Sequence, residues 1–168
     1  MLEALNRHEG RALMRPTIAA AFVAVLAGCA APAPERTPPP ADTECVAAAK
    51  GDGLVGTWLS SRKHAGVSGE LKTLFELRPD GTMQYMEQLT RPGRAPQGLM
   101  EKGCWRRDGQ TLVLRTLESN GSPVDVEDPI YVNRYALSGA TGERLKLRSP
   151  DGVQLDARRM SAGYRLSW

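Results

Sequence analysis

Between Leu54 and Met160 the chain alternates apolar and polar residues over short runs. In one run Thr73, Phe75 and Leu77 share a phase, and mostly charged residues occupy the other phase. A period of two places neighbouring side chains on opposite faces of a strand, which is typical of strands half-buried in an antiparallel sheet. The pattern predicts eight strands, over residues 54–62, 70–78, 82–91, 99–107, 110–117, 129–137, 143–149 and 152–160.

The predicted strands are separated by dipeptides that tolerate positive φ, namely Asp80-Gly81, Asp108-Gly109, Asn120-Gly121 and Asp151-Gly152. Only Cys45–Lys50 is predicted to be helical, as a short turn before the first strand. Regularly spaced short strands favour a barrel or a sandwich, and sequential hairpins favour a meander. Closure would also remove exposed edge strands. The predicted fold class is therefore all-β, a small antiparallel up-and-down barrel of eight strands.

A short apolar run, Ile18–Ala27, follows Arg11 and Arg15 near the N-terminus. Its length, about ten residues, suits the core of a signal peptide and is too short to cross a bilayer. The run ends in Leu26-Ala27-Gly28-Cys29, which resembles the lipobox of bacterial lipoproteins. The resemblance implies that residues 1–28 are a signal peptide, that cleavage precedes Cys29, and that the Cys29 thiol carries a lipid, with palmitate among its acyl groups.

Residues 30–44 are rich in proline and alanine and have no hydrophobic periodicity. Such a segment stays extended, because it cannot bury enough apolar surface to fold. Residues 29–44 are therefore predicted to be a tether before a domain at residues 45–162, which a tail at 163–168 follows. Ala30 comes directly after the lipobox cysteine. By resemblance to enterobacterial lipoproteins, it implies an outer-membrane location facing the periplasm.

The 168 residues include 22 basic and 19 acidic side chains, a net charge of +3. No Lys/Arg-rich run or aromatic-spaced basic stripe is present, so nucleic acid is not a predicted partner. The chain contains no nucleophile elbow, zinc-protease motif or phosphate-binding glycine loop. After Cys29 the sole histidine is His64, in a polar stretch typical of a solvated loop. We therefore expect a non-enzymatic protein with no metal or cofactor.

Two cysteines remain if Cys29 is lipidated, and an even pair in an oxidising compartment favours a disulfide. A bond between Cys45 and Cys104 would close a loop of about 60 residues, enough to stabilise the fold appreciably. The competing interpretations are a redox couple and two buried thiols. A redox couple usually has a C-x-x-C motif, which is absent here. The prediction is a structural disulfide.

Gly56-Thr57-Trp58, at the start of the first strand, resembles the G-x-W motif of lipocalins and lipocalin-like bacterial domains. The resemblance extends from Leu54 to Met160. It implies that Trp58 seals the closed end of the barrel and that a basic side chain near the end of the last strand packs across it. Arg158 and Arg159 are the candidates, and Arg159 shares its phase with the apolar residues of that strand. The predicted barrel-closing residues are thus Gly56, Trp58 and Arg159.

Two function classes fit this sequence. The first is a membrane-anchored envelope protein whose barrel binds a small apolar or amphipathic ligand. The second is a non-enzymatic structural or interaction protein with a packed barrel and no cavity. An eight-stranded barrel is just wide enough for either arrangement. The candidate ligand-lining residues are the large aromatic side chains of the predicted strands, Trp58, Phe75, Tyr85, Trp105, Tyr131 and Tyr135.

Lipid attachment can be tested by comparing a variant that lacks Cys29 with one that keeps it. We expect C29A to incorporate no labelled palmitate in the bacterial host, because it lacks the thiol that receives the lipid. The double variant Cys45→Ala/Cys104→Ala keeps Cys29 and should still be labelled. Normal labelling of C29A would contradict attachment at this residue.

Overall fold

The computed structural model describes residues 44–63 and 68–167. The predicted signal peptide, Cys29, most of the predicted tether and His64 lie outside the described residues. The strands are β1 (Gly56–Lys63), β2 (Glu70–Leu77), β3 (Thr82–Thr90), β4 (Gln97–Asp108), β5 (Thr111–Ser119), β6 (Ser122–Pro123), β7 (Val132–Ala140), β8 (Arg144–Arg148) and β9 (Gln154–Met160).

Eight of these strands close into an antiparallel barrel. The neighbours are β4, β3, β2, β1, β9, β8, β7 and β5 in turn, and pairing of β4 with β5 completes the ring. The two-residue β6 is an extra strand that pairs only with β5. Every strand pairing is antiparallel, and most connect consecutive strands. The predicted all-β, up-and-down, eight-stranded barrel is confirmed.

Glycines permit close backbone approaches at two points of the barrel. Gly81, in the turn between β2 and β3, has φ +83°, and a Cβ there would lie 2.0 Å from the carbonyl oxygen of Val46. Gly103 lies at a register shift in the β4–β5 ladder, where a Cβ would lie 1.9 Å from the carbonyl oxygen of Arg115. A side chain at either position would force the neighbouring backbone to move, since such a separation is far inside van der Waals contact.

The segment before β1 is not helical, so the predicted helical turn at Cys45–Lys50 is wrong. Its backbone instead follows the rim of the barrel, where the Ala48 amide donates to the Pro79 carbonyl at 2.9 Å. Cys45 forms a disulfide with Cys104 of β4, with Cα atoms 5.0 Å apart. The predicted disulfide is confirmed. The Ala48 amide thus pairs with the rim of the barrel, whereas in a helix it would have paired within its own segment.

The strand predicted at 129–137 begins three residues later than expected. Pro129–Tyr131 forms a single 3₁₀ turn, and Asp128 caps it by accepting a hydrogen bond from the Ile130 amide at 2.9 Å. Proline at the first helical position suits this turn, because its fixed φ matches and its missing N–H is not needed there. Strand β7 therefore starts at Val132.

The barrel has one main apolar core and a smaller cluster on its outer wall. The core comprises Leu54, Trp58, Phe75, Leu77, Met83, Tyr85, Trp105, Leu112, Leu114, Tyr135, Leu145, Leu147, Leu155 and Ala157. On the outer wall, Leu166 of the tail packs against Leu59, Leu74 and Met86, which belong to β1, β2 and β3. The tail thus covers apolar side chains that the alternation of those strands leaves outside the barrel.

The disulfide provides a measurable stability difference. The double variant Cys45→Ala/Cys104→Ala should lower the free energy of unfolding by about 4 kcal/mol, because the bond restricts the unfolded chain. Urea unfolding followed by tryptophan fluorescence, without reductant, measures the change. Wild-type protein unfolded with reductant is the control and should match the variant. Equal midpoints for the variant and the oxidised wild type would contradict the assignment.

Candidate functional site

The closed end of the barrel is built around Trp58 and Arg159. The two residues are partners across β1 and β9, and the guanidinium carbon of Arg159 lies 4.0 Å from the ring centroid of Trp58. Arg159 Nη1 donates to the Val55 carbonyl at 2.9 Å, and Nη2 donates to the Gly53 carbonyl at 3.0 Å. The cation therefore lies over the indole and also holds the segment that precedes β1.

Gly56 makes room for this arginine. Its φ is +146°, and a Cβ at this position would lie 2.1 Å from Arg159 Nη1. A side chain would strain the backbone and displace the guanidinium. The structure thus brings together Gly56, Trp58 and Arg159, the three residues that the sequence resemblance had placed at the closed end.

Three of the aromatic ligand-lining candidates lie in packed surroundings. Trp58 and Phe75 have no exposed surface, and Trp105 is 2% exposed. The indole nitrogens are used within the protein, since Trp58 Nε1 donates to the Leu54 carbonyl and Trp105 Nε1 to the Arg78 carbonyl, each at 2.8 Å. These side chains fill the closed half of the barrel.

The open end of the barrel contains a cavity of about 310 Å³. Tyr85 and Tyr135 line it, whereas Tyr131 lies in the 3₁₀ turn outside its wall. The cavity combines an apolar floor with hydrogen-bonding and charged groups, which make up most of its lining. Its lining consists of Arg62, Tyr85, Glu87, Asn133, Tyr135, Ser149, Pro150, Asp151 and Leu155.

The aromatic rings below the cavity are held edge to face. The ring centroid of Phe75 lies 5.3 Å from that of Tyr85 and 5.6 Å from that of Tyr135. Burial raises the pKa of Tyr135 to about 12 and that of Tyr85 still further. Both phenols therefore stay protonated near neutral pH and can act as hydrogen-bond donors.

A carboxylate is held beside these phenols. Glu87 Oε1 accepts hydrogen bonds from the Tyr85 hydroxyl at 2.7 Å and from the Thr73 hydroxyl at 3.5 Å. On the neighbouring strand β4, Glu101 is only 9% exposed and accepts from the Thr116 hydroxyl at 3.1 Å. Burial raises the pKa of Glu101, and the charge of Glu87 acts in the same direction. Two inward-facing carboxyl groups thus occupy the open half of the barrel.

Arg62 and Asp151 occupy the cavity wall together. The Ser149 hydroxyl donates to Asp151 Oδ1, and this bond is the main cause of the lowered pKa of Asp151, to which the positive charge of Arg62 also contributes. The Nε atom of Arg62 is buried and has no hydrogen-bond partner among the described residues. The wall therefore contains one cation near one carboxylate, in addition to Glu87.

Sequence reasoning did not select the polar residues of this cavity. Glu87 interrupts the apolar phase of Met83 and Tyr85 in β3, and that interruption was an available signal. A charged residue in the inward phase of a barrel strand marks a position where the interior is polar. The sequence alone offered no comparable signal for Asn133 or Asp151, which come from distant parts of the chain.

A second cleft of about 390 Å³ lies on the outside of the barrel, beside the disulfide. Its lining includes Val46, Val113 and Arg115. Within residues 44–63 and 68–167, no group of three or more His, Cys, Asp or Glu side chains is placed to hold a metal ion. The same part of the chain contains no helix long and apolar enough to cross a membrane.

Comparison with other proteins leaves the chain without an assigned family. No protein-family model matches it, and no curated protein matches it either. The likeness to lipocalins and to bacterial lipoproteins therefore rests on the residues quoted above.

The contribution of the closed end can be measured with two adjacent arginines. Arg159→Met should lower the free energy of unfolding by about 2 kcal/mol, because it removes a stacked cation and its hydrogen bonds to backbone carbonyls. Arg158→Met alters an exposed side chain on the outer face and should change stability by less than about 0.5 kcal/mol. Urea unfolding compares the two. Equal effects would show that the stacking on Trp58 does not stabilise the barrel.

Proposed function

We propose that this protein is a lipid-anchored lipoprotein of the bacterial cell envelope whose barrel binds a small amphipathic molecule at its open end. The observation that carries the proposal is the cavity of about 310 Å³ above a fully packed closed half. Its volume lies near the lower end of the range for small-molecule sites, about 300 Å³. A rigid barrel with one concave end suits binding, since the site needs little ordering when the ligand enters.

The lining supports an amphipathic ligand over a purely apolar one. Leu155, 5% exposed, and the rings of Tyr85 and Tyr135 provide apolar surface at the floor. Arg62 and Glu87 provide charged groups in the wall. A purely apolar ligand would exclude water from these charged groups without replacing it by a polar group, which is unfavourable. A molecule with an apolar body and a polar head satisfies both parts of the lining.

The anchoring part of the proposal comes from the leader. Leu26-Ala27-Gly28-Cys29 supports lipid attachment at Cys29, and the proline-rich residues after it support a spacer. Two or more acyl chains anchor a protein stably, whereas one does so only marginally. Ala30 supports the outer membrane, with the domain facing the periplasm. Cys45 joins β4 near the closed end, so the chain enters the barrel at the end opposite the cavity.

A second function, a non-enzymatic envelope interaction protein, is favoured by the packing of the closed half. Trp58, Phe75 and Trp105 are buried there among other apolar side chains. A protein of this kind would use its outer wall or loops and would carry no small molecule. Whether a small molecule stays bound in the barrel separates the two functions.

Neighbouring residues of β7 provide the test. Asn133 lines the cavity, whereas Arg134 is exposed on the outer wall. Native mass spectrometry of protein extracted from membranes should find a small molecule retained by the wild type and by Arg134→Trp. Asn133→Trp should lose it, because an indole at this position fills the cavity.

Absence of a retained molecule from all three proteins would contradict ligand binding and favour the interaction protein. Equal retention by Asn133→Trp would place the ligand elsewhere on the barrel. Circular dichroism of each variant establishes that the sheet is intact, so that a loss reflects the filled cavity.

A further inference from the structure

The charges around the open-end cavity are not balanced. Arg62 faces Asp151 closely enough for its charge to act on that carboxyl group. Glu87 and Glu101 lie on the neighbouring strands β3 and β4, and no basic side chain among the described residues forms a salt bridge with either. Two carboxylates, Glu87 and Asp151, and one guanidinium, Arg62, line the cavity, so its wall has an excess of negative charge.

The hydrogen bonds of Glu87 leave one of its oxygens available. Oε1 accepts from the hydroxyls of Tyr85 and Thr73. In the described part of the chain no hydrogen bond reaches Oε2. Glu87 is half-buried and lines the cavity, where neutral hydroxyl donors hold its carboxylate and no described residue forms a salt bridge with it. A half-buried carboxylate without a salt bridge can pair with a cation that enters the cavity, and a charge-assisted hydrogen bond of this kind is stronger than a neutral one.

We propose that the ligand of this cavity is a small organic ammonium compound, with an apolar body, whose cationic group pairs with Glu87. The inference rests on the proposed ligand-binding function and specifies the chemistry of the same site. The ammonium donates to Glu87. The apolar body lies against Leu155 and the ring of Tyr135.

Arg62 does not make the cavity an anion site. Asp151 lies beside it in the same wall, and the Ser149 hydroxyl holds that carboxylate in place. An anionic ligand that approached Arg62 would also approach the carboxylates of Asp151 and Glu87, which line the same wall. A cationic ligand meets two carboxylates and one guanidinium in this wall, so its charge is attracted overall.

Three probes that differ only in the head group test the proposal. They are 4-phenylbutylamine, 4-phenylbutanol and 4-phenylbutyrate, titrated into the purified protein by calorimetry near neutral pH. The amine should bind about ten-fold more tightly than the alcohol, because it alone brings a positive charge to the Glu87 carboxylate. The carboxylate probe should bind more weakly than the alcohol.

Two isosteric substitutions identify the residue responsible. Glu87→Gln keeps the shape and should reduce amine affinity about ten-fold, to that of the alcohol, without changing alcohol binding. Glu118→Gln removes a carboxylate that pairs with Lys102 on the outside of the barrel and should leave all three affinities unchanged. Equal loss in both variants would indicate a long-range charge effect and would overturn the role of Glu87.

The outcomes separate this inference from the function on which it rests. Amine and alcohol binding of equal strength, or tightest binding of the carboxylate, would overturn the ammonium assignment and leave a ligand-binding barrel. Failure of all three probes to bind, together with no retained molecule in native mass spectrometry, would remove ligand binding itself.

Discussion

The contact between Trp58 and Arg159 connects the first and the last strand of the barrel. The residues face each other across β1 and β9, the pairing that joins the first and last strands of the barrel. The same guanidinium binds the carbonyls of Gly53 and Val55, so it also holds the segment before β1. A closed barrel has no free edge, and the register of each strand depends on closure at this seam.

Closure divides the interior into two parts with different chemistry. Large apolar side chains fill the half beneath Arg159, and hydroxyl and carboxyl groups occupy the half towards the open end. Thr73, Thr116 and Glu101 are buried there and use one another or Glu87 as partners. This polarity gradient makes the open end the chemically specific part of the barrel, because the wall dictates where a ligand's polar head can lie.

Local pattern predicted the strands well because alternation and turn residues are properties of short segments. The same reasoning failed at Cys45–Lys50, whose composition favours a helix but whose backbone is held along the rim by a disulfide and by Pro79. It also misjudged what the large aromatic residues do. Phe75 and Trp105 are packed, because their strands direct them into the filled half, whereas Tyr85 and Tyr135 extend to the cavity.

The sequence by itself determined the all-β class and the number of barrel strands, because both follow from short-range alternation. It predicted the pairing of Cys45 with Cys104 only once Cys29 was set aside by its resemblance to a lipobox cysteine. Only the tertiary structure decided which residues form the cavity. Arg62, Glu87, Asn133 and Asp151 come from four separate segments. Their meeting depends on the order and register in which the strands close, and that geometry is set by long-range pairing that no single segment encodes.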